Sequence, residues 1–343
     1  MQFAFAPLIG ALSDRFGRRP IVLLSNLGLG CDYILMALAP TIGWLFAGRV
    51  ISGITSASFP TASAYLSDIT NPEERAGKLG MLGAAFGLGF IAGPAIGGLV
   101  APYGLRYPFW VAAILSLLNF CYGAFVLPES LPVEKRSKFG WTRANPFGSF
   151  QLLRSHPELF GIAAAMFLQF IAHEALPSMF VLYADYRYSW SERTTGLALA
   201  LIGFGSTVVS AVLIGLIVKR IGEVRTALAG LLFGVLGYAG FAMAPTTGYF
   251  LAAFPLLSLW GIADSPLQSL MSRRVSDSEY GQLQGAIGSL FGVAGMIGPL
   301  VFTGVFSAAI AKSRVIPFPG APFWLGAVLL ACSGIVAYRV TRK

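Results

Sequence analysis

The chain has 343 residues, of which 56% are hydrophobic and only 11% charged, against about 25% charged in an ordinary soluble domain. A soluble protein must cover its surface with polar groups, so this composition excludes that class and indicates a protein embedded in lipid. The net charge of +9 does not indicate a nucleic-acid partner, because the basic residues gather in alternate loops between apolar runs.

Continuous apolar runs predict an all-α polytopic membrane protein, because about 20 apolar residues cross a bilayer core as one helix. A shorter apolar stretch at residues 1–12 corresponds to half of such a helix. The ten full spans predicted after it are 21–40, 43–66, 79–101, 107–127, 159–184, 195–218, 227–244, 249–271, 282–310 and 321–338.

The basic residues predict which side of the membrane is cytoplasmic. If the spans zigzag across the bilayer, most lysines and arginines fall on one side, among them Arg225, Arg339 and Arg342, and the positive-inside rule makes that side cytoplasmic. The polar segment 129–157 and the C-terminus then lie in the cytoplasm. This segment is the predicted linker between an incomplete helical bundle at 1–128 and a six-helix bundle at 158–343.

The two halves of the chain repeat each other with a shift of 205 residues. The shift places Gly17 on Gly222 and the pair Gly93-Pro94 on Gly298-Pro299. Such repeats are typical of secondary transporters, whose substrate site lies near the bilayer midplane between the halves. The same shift predicts that roughly fifty residues, holding the first helix and part of the second, precede Met1 in a complete chain of six plus six helices.

Three motifs resemble those of the major facilitator superfamily in order and spacing. Gly10-Ala-Leu-Ser-Asp14-Arg15-Phe-Gly17-Arg18-Arg19 resembles the loop signature between its second and third helices. Arg49-x-x-x-Gly53 resembles the fourth-helix motif, and Gly89-x-x-x-Gly93-Pro94-x-x-Gly97-Gly98 resembles the antiporter motif of the fifth helix. Asp32-Tyr33 and Tyr65-Leu-Ser-Asp68 are further similar to the tetracycline-resistance branch of drug:proton antiporters.

The resemblance implies a major facilitator fold of two six-helix bundles, here without the first helix and part of the second. It also implies export of a small amphipathic, tetracycline-like drug, free or as a metal chelate, in exchange for protons by alternating access. Besides the drug, protons and the lipid bilayer, no partner and no cofactor is expected. A transporter of a metabolite such as a sugar or organic acid, and a non-functional fragment of a transporter, remain as alternatives.

A membrane-embedded enzyme is poorly supported by the residues. Cys31, Cys121 and Cys332 lie in separate apolar spans without paired spacing, which argues against a disulfide framework and against a metal site. The two histidines form no cluster with a nucleophile, and no phosphate-binding loop occurs. Neither an enzymatic activity nor a metal site is therefore predicted.

The loop signature has two interpretations. Asp14 can accept hydrogen bonds from free amides at a helix start, and basic residues favour the cytoplasmic surface, so topology and loop stability alone would account for it. The resemblance implies instead a gating latch that breaks when the cytoplasmic side opens, made by Gly10, Asp14, Arg15, Gly17, Arg18 and Arg19. The degenerate copy at Lys219-Arg220-Ile221-Gly222 has lost the acid, so the latch is predicted to be asymmetric.

The antiporter motif predicts a hinge. The glycines Gly89, Gly93, Gly97 and Gly98 permit close approach of another helix, and Pro94 predicts a kink. Together with the resemblance, this pattern predicts a tight seam that closes off a leak pathway.

Ionisable residues inside the spans are candidates for function, because charge at the bilayer midplane costs a few kcal/mol. Asp32 and Arg49 stand at similar distances from the turn at Pro40, so they could pair at the same depth. That pair is either structural or part of proton coupling.

A second polar group falls in the other half. His173 and Glu174 lie near the middle of one span and are predicted to carry protons, although His173 could be a neutral core histidine. Asp264 and Gln268, one helical turn apart, are predicted to bind cargo or to cap a kinked helix, and Gln169 could join the His173 face.

Overall fold

The structure is a computed structural model that describes residues 2–55, 59–71, 75–136, 157–275, 280–311 and 317–342. The regular elements in these ranges are helices, and no strand occurs there. The α-helices are α1 (Gln2–Phe16), α2 (Arg18–Leu38), α3 (Ile42–Thr55), α4 (Phe59–Asp68), α5 (Arg75–Val100), α6 (Tyr107–Val126), α7 (Pro157–His173), α8 (Ala175–Tyr188), α9 (Glu192–Val208), α10 (Ile214–Ile221), α11 (Glu223–Met243), α12 (Thr247–Ala252), α13 (Phe254–Trp260), α14 (Asp264–Ser272), α15 (Tyr280–Ala309) and α16 (Ala321–Thr341).

Seven helical runs in the described ranges are long and apolar enough to cross a membrane by length and composition. They coincide with seven of the ten predicted spans, and helices also occupy the other three. The seven runs are Arg18–Leu38, Tyr107–Val126, Leu159–Tyr188, Glu223–Met243, Thr247–Ser272, Ala286–Ala309 and Ala321–Thr341. The chain is therefore a multi-pass, all-α membrane protein.

Three spans predicted as single helices are broken. The span 195–218 contains a π-helical turn at Val209–Leu213 between α9 and α10, and the span 249–271 is divided among α12, α13 and α14. The span 159–184 breaks at Glu174, between α7 and α8. Pro177 explains this last break, because proline has no amide hydrogen to donate to the carbonyl of His173.

The repeat predicted from the sequence is visible in the helix boundaries. α2 and α11 begin 205 residues apart and also end 205 residues apart. α5 and α15 begin with the same separation, and each holds its internal proline, Pro94 or Pro299, at equivalent positions. The two halves are thus built on one pattern of helices.

The chain forms two compact units, residues 1–89 with 96–148 and residues 90–95 with 149–343. In the first unit α2 packs against α6 and α3, and in the second α11 packs against α16 and α13. Most of the predicted linker, residues 137–156, lies outside the described residues, so the domain boundary at 129–157 stays a prediction.

Aromatic side chains fill one end of the core of the second unit. Phe250 contacts Phe180, Tyr183 and Phe241, with ring centroids 5.6, 5.6 and 4.3 Å away. These rings are buried, so they hold α8, α11 and α12 together by packing.

Candidate functional site

The loop between α1 and α2 is held by a carboxylate from after α6. Gly17 has a left-handed φ of 106°, a conformation that favours glycine, and a Cβ there would collide with the Glu129 carboxylate and with Arg136. Glu129 Oε1 accepts hydrogen bonds from the backbone amides of Arg18, Ser130 and Leu131 at 2.8, 3.0 and 3.1 Å. It therefore caps the start of α2, where Gly17 supplies no side-chain cap.

Asp14 does not cap this helix as predicted. Its carboxylate lies in the last turn of α1 and accepts from Arg18 Nη1 at 2.5 Å, while the free amides at the start of α2 face Glu129. The reason is geometric, because Gly17 turns the chain so that the amides of Arg18 and Arg19 point toward the segment after α6.

Arg18 is the centre of a polar cluster, here called the first latch: Ser13, Asp14, Arg18, Asp68 and Glu129. The Arg18 guanidinium donates to Ser13 Oγ at 2.7 Å and to Asp68 Oδ2, on α4, at 3.2 Å. Ser13 donates in turn to the carbonyl of Gly10 at 2.7 Å. The first latch thus joins α1, α2 and α4, and Arg19 extends it by donating to the carbonyl of Ala124 on α6 at 2.6 Å.

The remaining members of the loop signature have other surroundings. Arg15 is exposed, and its guanidinium carbon lies 5.0 Å from the centroid of the Phe16 ring. A Cβ built on Gly10 would meet no described atom within 4 Å.

Burial and backbone hydrogen bonds act in opposite directions on Glu129. Burial alone would raise its pKa, but the amides of Leu131, Arg18, Arg19 and Ser130 stabilise the ionised form. The pKa of Glu129 is therefore below its ordinary value.

The second half holds an ion pair at the equivalent positions with the charges reversed, so the two latches differ in polarity. Gly222 has a left-handed φ of 81°, and Arg273 Nη2 donates to Glu223 Oε1 at 2.7 Å. A shift of 205 residues places Lys219, Glu223 and Arg273 on Asp14, Arg18 and Asp68. The acid, Glu223, stands where the first half has Arg18, and the base, Arg273, stands where it has Asp68. The second latch (Glu223, Ser269 and Arg273) therefore has an ion pair of opposite polarity.

Asp32 is buried on α2 without a partner. Asp32 is only 1% exposed, and neither of its carboxylate oxygens has a hydrogen-bond partner among the described residues. The predicted ion pair with Arg49 is not formed in this conformation, since Arg49 is exposed and no salt bridge joins the two. Gly48, the residue before Arg49, instead lies against Asp32, and a Cβ there would stand 2.8 Å from Asp32 Oδ1.

His173 and Glu174 flank the break between α7 and α8. The His173 ring lies 5.8 Å from the Trp260 ring on α13. Glu174 packs against α15, where a Cβ on Gly298 would collide with the Glu174 side chain. Close packing at a Gly-Pro motif is therefore present at Gly298-Pro299 in the second unit.

Gln169, which the sequence placed on the face of His173, contacts Asp264 in the second unit. Gln169 Nε2 donates to Asp264 Oδ1, while the other amide atom of Gln169, Oε1, is buried and has no partner among the described residues. The same is true of Trp260 Nε1, four residues before Asp264. Gln268 lies one turn further along α14, half-buried.

The antiporter motif does not show the predicted close packing. A Cβ built on Gly89, Gly93 or Gly97 would meet no heavy atom within 4 Å in the part of the chain that the structure describes. Pro94 lies inside α5, and Gly98 is buried. Gly89, Gly93 and Gly97 therefore have no close neighbour among the described residues, whereas Gly98 differs from them in being buried.

Sequence reasoning missed Glu129 and Trp260 as functional candidates. Glu129 follows Pro128 at the end of a span and reads as the start of a linker, and its partner Arg18 is 111 residues away. Trp260 has the sequence signature of one more apolar residue, and only the fold shows that its Nε1 is buried without a partner among the described residues.

Comparison with known proteins places the chain. The family model "Major Facilitator Superfamily" matches residues 1–299. Two similar curated proteins are the class C tetracycline resistance protein of Escherichia coli, 39% identical, and the class G protein of Vibrio anguillarum, 36% identical; each alignment covers 90% of this chain and 78% of the relative. The crystal structure of the human organic anion transporter MFSD10 (TETRAN) is similar, with a TM-score of 0.72 and 25% identity over 98% of this chain and 80% of that one.

The match covers most of the chain, and it agrees with the multi-pass helical architecture and the repeated halves. The chain belongs to the major facilitator superfamily, in the branch of the tetracycline resistance proteins.

Proposed function

We propose that the chain exports a small amphipathic drug of the tetracycline type in exchange for protons, by alternating access, and is not an enzyme. The observation that carries proton exchange is the unpartnered carboxylate of Asp32 inside an apolar helix. An ionised, unpaired carboxylate at that depth costs a few kcal/mol. Binding a proton removes the cost, and water that reaches Asp32 in another conformation would take the proton away.

The cargo site is proposed in the second unit, around Asp264. Gln169, which donates to this carboxylate, has an acceptor, Oε1, without a partner among the described residues, and Trp260 Nε1, four residues before Asp264 in sequence, is a donor without one. Buried polar groups are costly unless they are bonded. A drug carrying hydrogen-bond donors and acceptors would satisfy them. His173 and Gln268 border the same patch and complete the proposed site, and Glu174 with His173 would pass protons beside it.

The two latches are proposed to stabilise one conformation of the cytoplasmic ends of the helices. Each ties the helix after a left-handed glycine, α2 or α11, to the helix that returns to the same end, α4 or α14. The C-terminus and residues 129–157 would lie on the cytoplasmic side of the inner membrane, because the basic residues gather on that side. Pro94 and the glycines of α5 would serve as the hinge.

Everted membrane vesicles test the proposal. Adding tetracycline to energised vesicles that contain the chain should release protons, and Asp32→Asn should abolish this release while the protein stays inserted, because the amide keeps the volume but cannot ionise. Asp185→Asn, on the exposed side of α8, is the matched control and should behave like the wild type. Undiminished proton release from Asp32→Asn would reduce Asp32 to a structural role.

An organic anion is the second candidate cargo, because the similar human protein MFSD10 is an organic anion transporter. The Asp264 carboxylate argues against an anion, since no lysine or arginine pairs with it among the described residues. A panel of drugs and organic acids offered to the same vesicles separates the two cargo classes.

A further inference from the structure

An apolar groove lies on the outer face of the second unit, between α11 and α16. Its volume is about 520 Å³. Leu228, Leu232 and Val235 line it from α11, and Gly334, Ile335 and Arg339 line it from α16. Leu232 and Ile335 are 58% and 55% exposed, so this face is open to the surrounding lipid.

Gly334 makes the groove deep. A Cβ on Gly334 would come no nearer than 3.9 Å to Leu231, so the missing side chain leaves space rather than a close helix contact. From Arg339 to Leu330 the groove follows ten residues of α16, whose nine steps span about 13 Å. This length is close to the hydrocarbon thickness of one leaflet, which is about 15 Å.

One end of the groove is basic. Arg339 lines it, and the Arg342 guanidinium carbon stacks 4.4 Å from the centroid of the Tyr338 ring, which also lines it. Arg225 lies in the first turn of α11, one turn before Leu228 and on the same helix face. Within the described ranges, no carboxylate forms an ion pair with any of these three arginines.

We propose that this groove binds one anionic phospholipid, from the leaflet on the side of the C-terminus. The acyl chain lies along the apolar lining, and the phosphate contacts Arg339, Arg225 and Arg342. Basic side chains next to a hydrophobic groove between transmembrane helices are complementary to such a lipid. An arginine that reaches the interface keeps its stem in the apolar region and its guanidinium at the phosphate level.

The purified chain in detergent tests the site, with dioleoyl phosphatidylglycerol as the anionic lipid and dioleoyl phosphatidylcholine as the neutral one. Native mass spectrometry should show preferential retention of phosphatidylglycerol, and that lipid should also raise the melting temperature more. Arg339→Gln should reduce the preference for phosphatidylglycerol about fivefold, because each basic residue near an anionic lipid surface changes the affinity by about that factor. Arg225→Gln should do the same, and both changes together should abolish the preference.

Two further variants keep the outcome sharp. Arg193→Gln, in the first turn of α9, is exposed and does not line the groove, so it should leave the preference unchanged. Gly334→Leu should fill the groove and reduce retention of both lipids, while its melting temperature without lipid stays near that of the wild type.

Three results would overturn the proposal. The first is equal retention of the two lipids by the wild type. The second is a preference that survives the double arginine change. The third is displacement of phosphatidylglycerol by inorganic phosphate alone, because it would show that the arginines bind a free anion rather than a lipid.

Discussion

Asp32 depends on the absence of a side chain at Gly48. A Cβ at this position would stand 2.8 Å from Asp32 Oδ1 and 2.8 Å from Met36 Cγ. We expect Gly48→Ala to impair drug-driven proton release, because the carboxylate must rotate away, with little net change in stability, since overpacking and the gain of about 1 kcal/mol in helix propensity oppose each other. Vesicle assays and a detergent melt measure the two effects.

Gly43→Ala is the control for this change. Gly43 lies on the same helix. Among the described atoms, a Cβ there would have Thr41 Oγ1 within 4 Å, at 3.7 Å, and no other. Because no described atom lies closer to that Cβ, Gly43→Ala should keep transport and melt at an equal or higher temperature. Equal losses of transport in both variants would contradict a specific role for the Asp32–Gly48 contact.

Glu129 makes a prediction about pH. Its folded-state pKa is below the ordinary value of 4.5, so the ionised carboxylate stabilises the fold above about pH 4.5, and this contribution is lost as the pH falls through the lowered pKa. Glu129→Gln should therefore melt at a lower temperature than the wild type at pH 7, and the gap should narrow at acid pH. A gap that stays constant or widens on acidification would contradict ionised Glu129 as the cap of α2.

At the scale of the helices, the break between α7 and α8 brings two titratable groups to different surroundings. His173 lies near Trp260, and Glu174 packs against Gly298 on α15. We expect the double change to His173→Gln and Glu174→Gln to move the pH optimum of transport, because it removes both proton-binding groups and keeps their hydrogen-bonding capacity. Transport measured from pH 5.5 to 8.5 checks this.

A profile that keeps its shape and only loses height would assign these two residues to cargo binding or packing. Asp185→Asn on the same pair of helices should leave both the shape and the height unchanged.

Helix positions could be predicted from the sequence because lipid imposes a length on each apolar run. α2 and α11 were also fixed by the 205-residue repeat. The π turn at Val209–Leu213 could not be predicted, because it has no proline to mark it and the run stays apolar through it. The contact between Gln169 and Asp264 was not predicted, although both were singled out as rare polar residues inside spans.

The cap at Glu129 depends on a contact across 111 residues, which no local pattern shows. The second latch was missed for a different reason. A motif search compares residue types at equivalent positions. A reversed ion pair has an acid where the motif has a base and a base where it has an acid, so the search does not find it although the interaction is kept.

At the scale of the whole molecule, the reversed charges of the two latches make it possible to test whether transport requires an ion pair or a particular sign of charge at each position. If pairing is what the latches require, Glu223→Arg and Arg273→Glu should each impair transport, and the two together should restore much of it, since the double variant has the same net charge as the wild type. The expected coupling is modest, about 0.2–1 kcal/mol, because Arg273 is 70% exposed. A double-mutant cycle on both transport and melting temperature measures it.

The first latch gives the sharper version of the same test. Arg18 is only 13% exposed and binds both Asp14 and Asp68, so Arg18→Glu should be more damaging than any single change in the second latch. Adding Asp68→Arg should recover the contact between α2 and α4, and adding Asp14→Lys as well should reproduce the polarity of Lys219, Glu223 and Arg273. Recovery that grows along this series would show that each half needs a paired latch of either sign. A triple variant no better than Arg18→Glu alone would show that the arginine itself is required in the first half.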